Sequence, residues 1–157
     1  MVVRTWAARG QTPILRVPLK WSRLSVMGAI SHDGRLLTRI QTKGFRSAQI
    51  VQFLKHVLRH VQGQILLVWD NLSAHRSKMV RHFIDSQSRL ETLQLPPYAP
   101  DLNPVEFLWS YLKKTELANV CCQSLEQLRY EIRKALERLR HKPELLMAFV
   151  QHLYDTL

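Results

Sequence analysis

The chain has 157 residues, enough for one domain with a real core. Apolar residues make up 46%, as in soluble globular proteins, and no apolar run approaches the roughly 20 residues of a membrane span. Lys and Arg number 23 against 12 Asp and Glu, and the net charge of +11 points to a polyanion partner, either nucleic acid or an acidic membrane surface.

The N-terminus, Met1-Val2-Val3-Arg4-Thr5-Trp6, has no apolar signal core. Residues 1–20 read as loop with a buried Trp. Residues 24–30 and 36–40 read as a hairpin around the Asp33-Gly34 turn. Ser47 is placed to cap a helix whose apolar positions Ile50, Val51, Leu54, Val57, Leu58 and Val61 recur at helical spacing, with Gly63 as its stop. Residues 65–69 are apolar throughout, which predicts a strand buried on both faces, with Asp70 at its carboxyl end. A helix over 77–86 with Val80, Phe83 and Ile84 inward follows. Leu93 and Leu95 then alternate in a short strand.

Next come the Pro-rich loop 95–103 and a helix starting at Asn103-Pro104, with Glu106 in its first turn. Ser124-Leu125-Glu126-Gln127 has the form of a capping box before the stripe Leu125, Leu128, Ile132, Leu136 and Leu139. Pro143 opens a last helix with Leu145, Leu146, Phe149, Val150 and Leu153 inward. The adjacent Cys121 and Cys122 lack the spacing of a metal site and read as reduced thiols of a cytoplasmic protein. The order predicts an α/β domain, with residues 1–118 as its core and 119–157 as a helical extension of the same domain.

In open α/β sheets, chemistry gathers at the carboxyl ends of the strands. If the fold brings Asp70 to Glu106, the two carboxylates can hold a hard divalent cation such as magnesium. Two such ions about 3.5–4 Å apart clamp the attacking and leaving oxygens of a phosphodiester. Each residue also has a purely structural reading. Glu106 is the third helical residue after Asn103 and could simply reach back to the cap amide. Asp70 could be an ordinary acid in a strand-to-loop turn. His56 and His60 lie four apart but lack the Glu of a zinc-protease motif, and fit a basic outer face with Lys55 and Arg59. His75 could border the site. Lys113 lies two turns from Glu106 on the same helical face (113 − 106 = 7), with Ser110 between, and could line a phosphate track or be a solvated lysine.

Two stretches, Trp69-Asp70-Asn71-Leu72-Ser73-Ala74-His75 and residues 95–109 (Leu-Pro-Pro-Tyr-Ala-Pro-Asp-Leu-Asn-Pro-Val-Glu-Phe-Leu-Trp), resemble the second and third acidic blocks of DDE transposases. The likeness is to the bacterial insertion-sequence branch of the mariner superfamily, whose short spacing matches the separation of 36 (106 − 70). Thr5-Trp6-Ala7 and Gly10-Gln11-Thr12-Pro13 resemble the segment after that family's first acid. The resemblance implies a ribonuclease H-like mixed sheet with flanking helices, and magnesium, or manganese, bound by Asp70 and Glu106. It places Asn71, His75, Asn103 and Pro104 around the site, and Lys113 and Lys114 on DNA. It implies transposon ends and target DNA as partners, with no membrane.

The family's first catalytic Asp stands on the first, central strand, upstream of Thr5-Trp6-Ala7. Here the chain starts at Met1, so that strand is expected to be absent and the chain to be the C-terminal part of a transposase. Asp33, in the hairpin turn, is no substitute. The expectation is a transposase catalytic-domain fragment that does not cleave DNA alone, binds it weakly and salt-dependently, and forms a homo-oligomer or pairs with an upstream transposase segment. The alternatives are a non-catalytic DNA-binding or assembly fragment pairing with full-length transposase, and a small nuclease recruiting Asp33.

Overall fold

A computed structural model describes residues 7–11 and 23–156. Most of the loop predicted for residues 1–20 lies outside these. Within it, Gln11 N–H donates to Ala8 C=O at 3.0 Å.

Strands β1 (Ser25–Ile30) and β2 (Leu36–Gln41) form the predicted hairpin, antiparallel and in register from Ser25↔Gln41 to Ile30↔Leu36. Gly34 takes φ +78°, which its turn requires. Helix α1 (Ser47–His60) follows. Its cap is Arg46 rather than Ser47, with Gln49 Oε1 accepting from Arg46 N–H at 3.1 Å. It ends at His60, and Gly63 falls in the turn beyond it.

Strand β3 (Ile65–Trp69), helix α2 (Lys78–Asp85) and strand β4 (Leu90–Gln94) make a βαβ unit, with the strands parallel from Ile65↔Leu90 to Trp69↔Gln94. A single turn over Pro100–Leu102 leads into α3 (Pro104–Tyr111) and then a π turn, Leu112–Glu116. Helices α4 (Leu125–Arg140) and α5 (Pro143–Thr156) finish the chain. Ser77, Asn103 and Ser124 are side-chain caps, each accepting a first-turn N–H. Gln127 reaches one residue past the cap expected of it, to Gln123 N–H at 2.8 Å. No helix among the described residues is long and apolar enough to cross a membrane.

The fold is mixed α/β, and the described strands form two two-stranded sheets, each with its own core. Leu36 of β2, Leu108 of α3, Leu112 of the π turn, Ile132, Leu136 and Leu139 of α4, and Leu146 of α5 share one core. The other joins Ile50 and Leu54 of α1, Trp69 of β3, Val80 of α2 and Leu90 of β4, with Met27 of β1 packed against it. One burial expectation fails here. The 65–69 run is not buried on both faces: Leu66 is 61% exposed. Among the described residues β3 pairs with β4 alone, and its packed residues, Ile65, Leu67 and Trp69, all lie on the α1–α2 side. On β4, Leu93 lies opposite Val68 and is exposed, and Leu90 is the buried residue.

The hairpin sets the position of α3. A Cβ on Gly28 would lie 2.9 Å from Trp109 Cη2, so only glycine lets this indole rest on β1. Beyond α3, the carboxylate of Glu116 (6% exposed) accepts from Arg138 Nε at 2.7 Å and Lys142 Nζ at 3.0 Å. Burial opposes its ionisation. The hydrogen bonds and charges of Arg138 and Lys142 overcome that and hold its carboxyl below the usual range. This network ties the π turn to the junction of α4 and α5.

Candidate functional site

Asp70 stands one residue past β3, where the ladder is ending. The ladder makes one further bond, Leu95 N–H to Trp69 C=O at 2.8 Å. Asn71 Nδ2 then donates to Leu95 C=O at 2.6 Å. The post-β3 turn and the start of the Pro-rich loop are therefore fastened together. The loop passes Tyr98, fully exposed at φ +60°, where a non-glycine residue is uncommon. The turn at Pro100–Leu102 reverses it, and Asn103 N–H donates to Pro100 C=O at 3.0 Å. Asn103 Oδ1 accepts from Val105 N–H at 3.2 Å, and Pro104 occupies the first helical position, where its missing N–H costs nothing.

The result is a cleft of about 210 Å³ lined by Asp70, Asn71, residues 95–100, Asn103 and Glu106. Asp70 Oδ1 accepts from Leu72 N–H at 3.0 Å and lies 2.9 Å from His75 Nδ1. The His75 ring lies flat on Trp69, centroids 4.3 Å apart and planes 8° apart, and is only 13% exposed. His75 thus pins one carboxylate oxygen. Oδ2 makes no bond to a described residue. Glu106 forms no hydrogen bond or ion pair with any described residue. Its capping reading fails, because the Asn103 amide is already taken by Pro100.

Asp70, Asn71, Asn103 and Glu106 therefore meet in one cleft, with Pro104 and His75 supporting them from α3 and from Trp69. Two carboxylates offering free oxygens suit a hard divalent cation that fills the rest of its shell with water and phosphate oxygens. No group of three His, Cys, Asp or Glu side chains placed to hold a metal occurs among the described residues.

Lys113 and Lys114 are exposed in the π turn and do not line the cleft. Asp33 does not line the cleft either. It accepts from Ser31 Oγ and pairs with Arg35 at 2.8 Å, which holds its carboxyl below the usual range, the Ser31 bond most of all. Tyr98 and the cleft's proline walls went unnoticed as lining in the sequence. The available signal was an aromatic inside a Pro-rich loop.

Residues 2–129 match the DDE superfamily endonuclease family. The chain is similar to the "Insertion element IS630 uncharacterized 39 kDa protein" of Shigella sonnei, 25% identical over 140 residues, covering 88% of this chain and 41% of that protein. In fold it resembles Mos1 transposase in a paired-end complex with the left transposon end (TM-score 0.65, 17% identity, 94% of this chain and 50% of that one). A Mos1 mariner paired-end complex with Mn gives a TM-score of 0.63 at 17% identity, covering 94% of this chain and 50% of that one. The catalytic domain of Mos1 mariner transposase gives 0.56 at 18% identity, over 78% of this chain and 72% of that one. This chain thus spans about half or less of the IS630 relative and of the Mos1 chains in the two complexes. The cleft is built from the two stretches that resemble acidic blocks, and with the match over most of the chain the conclusion is plain: this protein belongs to the DDE superfamily endonuclease family, and its similarities lie with the IS630 and mariner branch.

Proposed function

We propose that this chain carries part of the metal-dependent DNA cleavage and joining site of a transposase, with Asp70 and Glu106 as ligands of magnesium or manganese. The observation that carries the reading is the meeting of these two carboxylates in one cleft, with free oxygens on both. A divalent ion held there supplies Lewis-acid stabilisation of a phosphodiester's charged oxygens. The protein's own part is positioning. His75, wedged on Trp69, fixes Asp70 Oδ1 and leaves Oδ2 free of any bond to a described residue. Asn71 holds the two walls together. Asn103 and Pro104 start α3 so that Glu106 stands in its first turn, where the helix dipole favours an anion. Lys113 and Lys114 are retained as exposed DNA contacts outside the cleft.

The two sheets are read as parts of one ribonuclease H-like sheet. Met27 of β1 packs into the core of Trp69 and Leu90, which supports setting them side by side. Residues 119–157 are read as part of the same domain, since α4 and α5 share a core with β2 and α3.

The test is manganese titration followed by the EPR signal of the free ion. The intact chain is expected to bind weakly, as two carboxylates should, and Asp70→Asn or Glu106→Gln should abolish binding. Equal binding by wild type and both variants would refute the assignment. A second reading, a DNA-binding or assembly partner of another transposase chain, is favoured by the donor count, since two carboxylates line the cleft among the described residues. Plasmid nicking separates the two. Nicking by the chain alone, lost in Asp70→Ala, supports a self-sufficient site. Metal binding without nicking supports the partner reading.

A further inference from the structure

A second concavity, about 450 Å³, lies between β2 and α1. Thr38 and Arg39 form one wall, and Gln52, Lys55, His56 and Arg59 the other, over the buried ring of Phe53. Among the described residues no Asp or Glu lines it, and none of its lining residues lines the Asp70–Glu106 cleft. Some basic side chains elsewhere are held in ion pairs, Arg138 and Lys142 with Glu116, Arg140 with Glu137, and Arg35 with Asp33. Arg39, Lys55 and Arg59 form no ion pair with a described residue. Lys55 Nζ instead sits 5.7 Å from the centroid of the Phe83 ring.

A solvated helix face is the ordinary explanation of such charges, but two features go against it here. The cations converge from a strand and a helix rather than splaying from one element. The groove is also braced from behind, where Arg140 of α4 donates from Nη2 to Thr38 Oγ1 at 2.8 Å and from Nε to Leu36 C=O at 3.3 Å. Half-buried His56 registers the resulting field. Burial, and then the charges of His60, Arg59, Arg39 and Arg140, hold its imidazole below the usual range.

We propose that this groove binds the phosphate backbone of duplex DNA without a metal ion, as a second contact beside the Asp70–Glu106 cleft. The inference rests on the reading of DNA as the substrate. Charge complementarity selects a polyanion. Lys55 and Arg59, one turn apart, are separated by about 6 Å along the helix, close to two phosphate steps of roughly 3.4 Å on one strand. Backbone contacts of this kind position DNA and read no sequence.

The experiment is fluorescence anisotropy of the full chain with a 30-bp duplex in EDTA, across a salt series, alongside manganese titration. Lys55→Gln/Arg59→Gln should weaken binding and lower the log–log salt slope by about 0.9 for each of two phosphates. Its manganese binding and melting temperature should match wild type. The same charge removed from exposed positions of α4, in Arg133→Gln/Lys134→Gln, should change the slope less. Asp70→Asn should lose manganese while keeping DNA binding in EDTA. Inorganic phosphate should compete no better than chloride at equal ionic strength, and the His56 imidazole should titrate higher with DNA bound. An unchanged slope in Lys55→Gln/Arg59→Gln, an equal loss in the α4 variant, or efficient displacement by inorganic phosphate would overturn the groove assignment. Loss of the manganese result alone would overturn the cleft reading and leave the groove standing.

Discussion

Asn71→Ala tests whether the cleft is held by one side-chain bond across its floor. The wild-type amide donates from Nδ2 to Leu95 C=O at 2.6 Å, in a part-buried position. Removing it takes away one hydrogen bond and leaves a carbonyl beside the buried Leu95 short of a partner, for a loss of about 1–3 kcal/mol. At this chain size a kilocalorie moves Tm by roughly 2–4 °C, so the variant should melt about 2–12 °C lower. The functional consequence is separate. The bond fastens the turn carrying Asp70 to the loop that delivers Glu106, so its loss frees two carboxylates that must converge on one ion. Manganese affinity should fall even at temperatures where the variant is fully folded. Thermal melting by circular dichroism and manganese titration by EPR give the two readouts. Asp70→Asn is the control: it removes a half-exposed ligand and should lose metal with little change in Tm. An Asn71→Ala protein with wild-type melting and wild-type manganese affinity would refute the idea that this bond holds the cleft.

Gly28→Ala should destabilise the chain by about 1–3 kcal/mol, because the new methyl meets the rigid Trp109 ring at 2.9 Å; an unchanged urea midpoint would show that α3 shifts freely. Leu146→Ala, at a fully buried core position, should cost about 2–5 kcal/mol in the same assay. Glu116 has a folded pKa below its ordinary value of 4.5, so its stabilising contribution is present above that pH and is lost as pH falls through the lower folded value. Urea midpoints measured from pH 6 downward should show this loss in wild type, and Glu116→Gln should flatten that part of the profile.

The elements were legible because their signals are local. Helix caps at Asn103 and Ser124 depend on one side chain and an amide two or three residues on, and the apolar stripes of α4 and α5 depend on a period that any helix must have. The family was legible for a related reason: residues 69–75 and 95–109 are continuous stretches. Burial was less legible, because it depends on what lies alongside. The run at 65–69 carries no mark telling a strand with one neighbour from a strand with two, and Leu66 is exposed with no described element packed over it. Whether Glu106 caps its helix or faces the cleft was undecided until the Asn103 amide was seen bonded to Pro100.

Sequence alone therefore determined which acids, caps and apolar faces the chain owns. Only the tertiary structure decided which of them meet, since Asp70 and Glu106 are brought together by a loop fastened at Asn71, and Arg39 and Arg59 by the packing of β2 against α1. Convergence of residues far apart in the chain depends on how elements pack, and no periodicity within a single element encodes it.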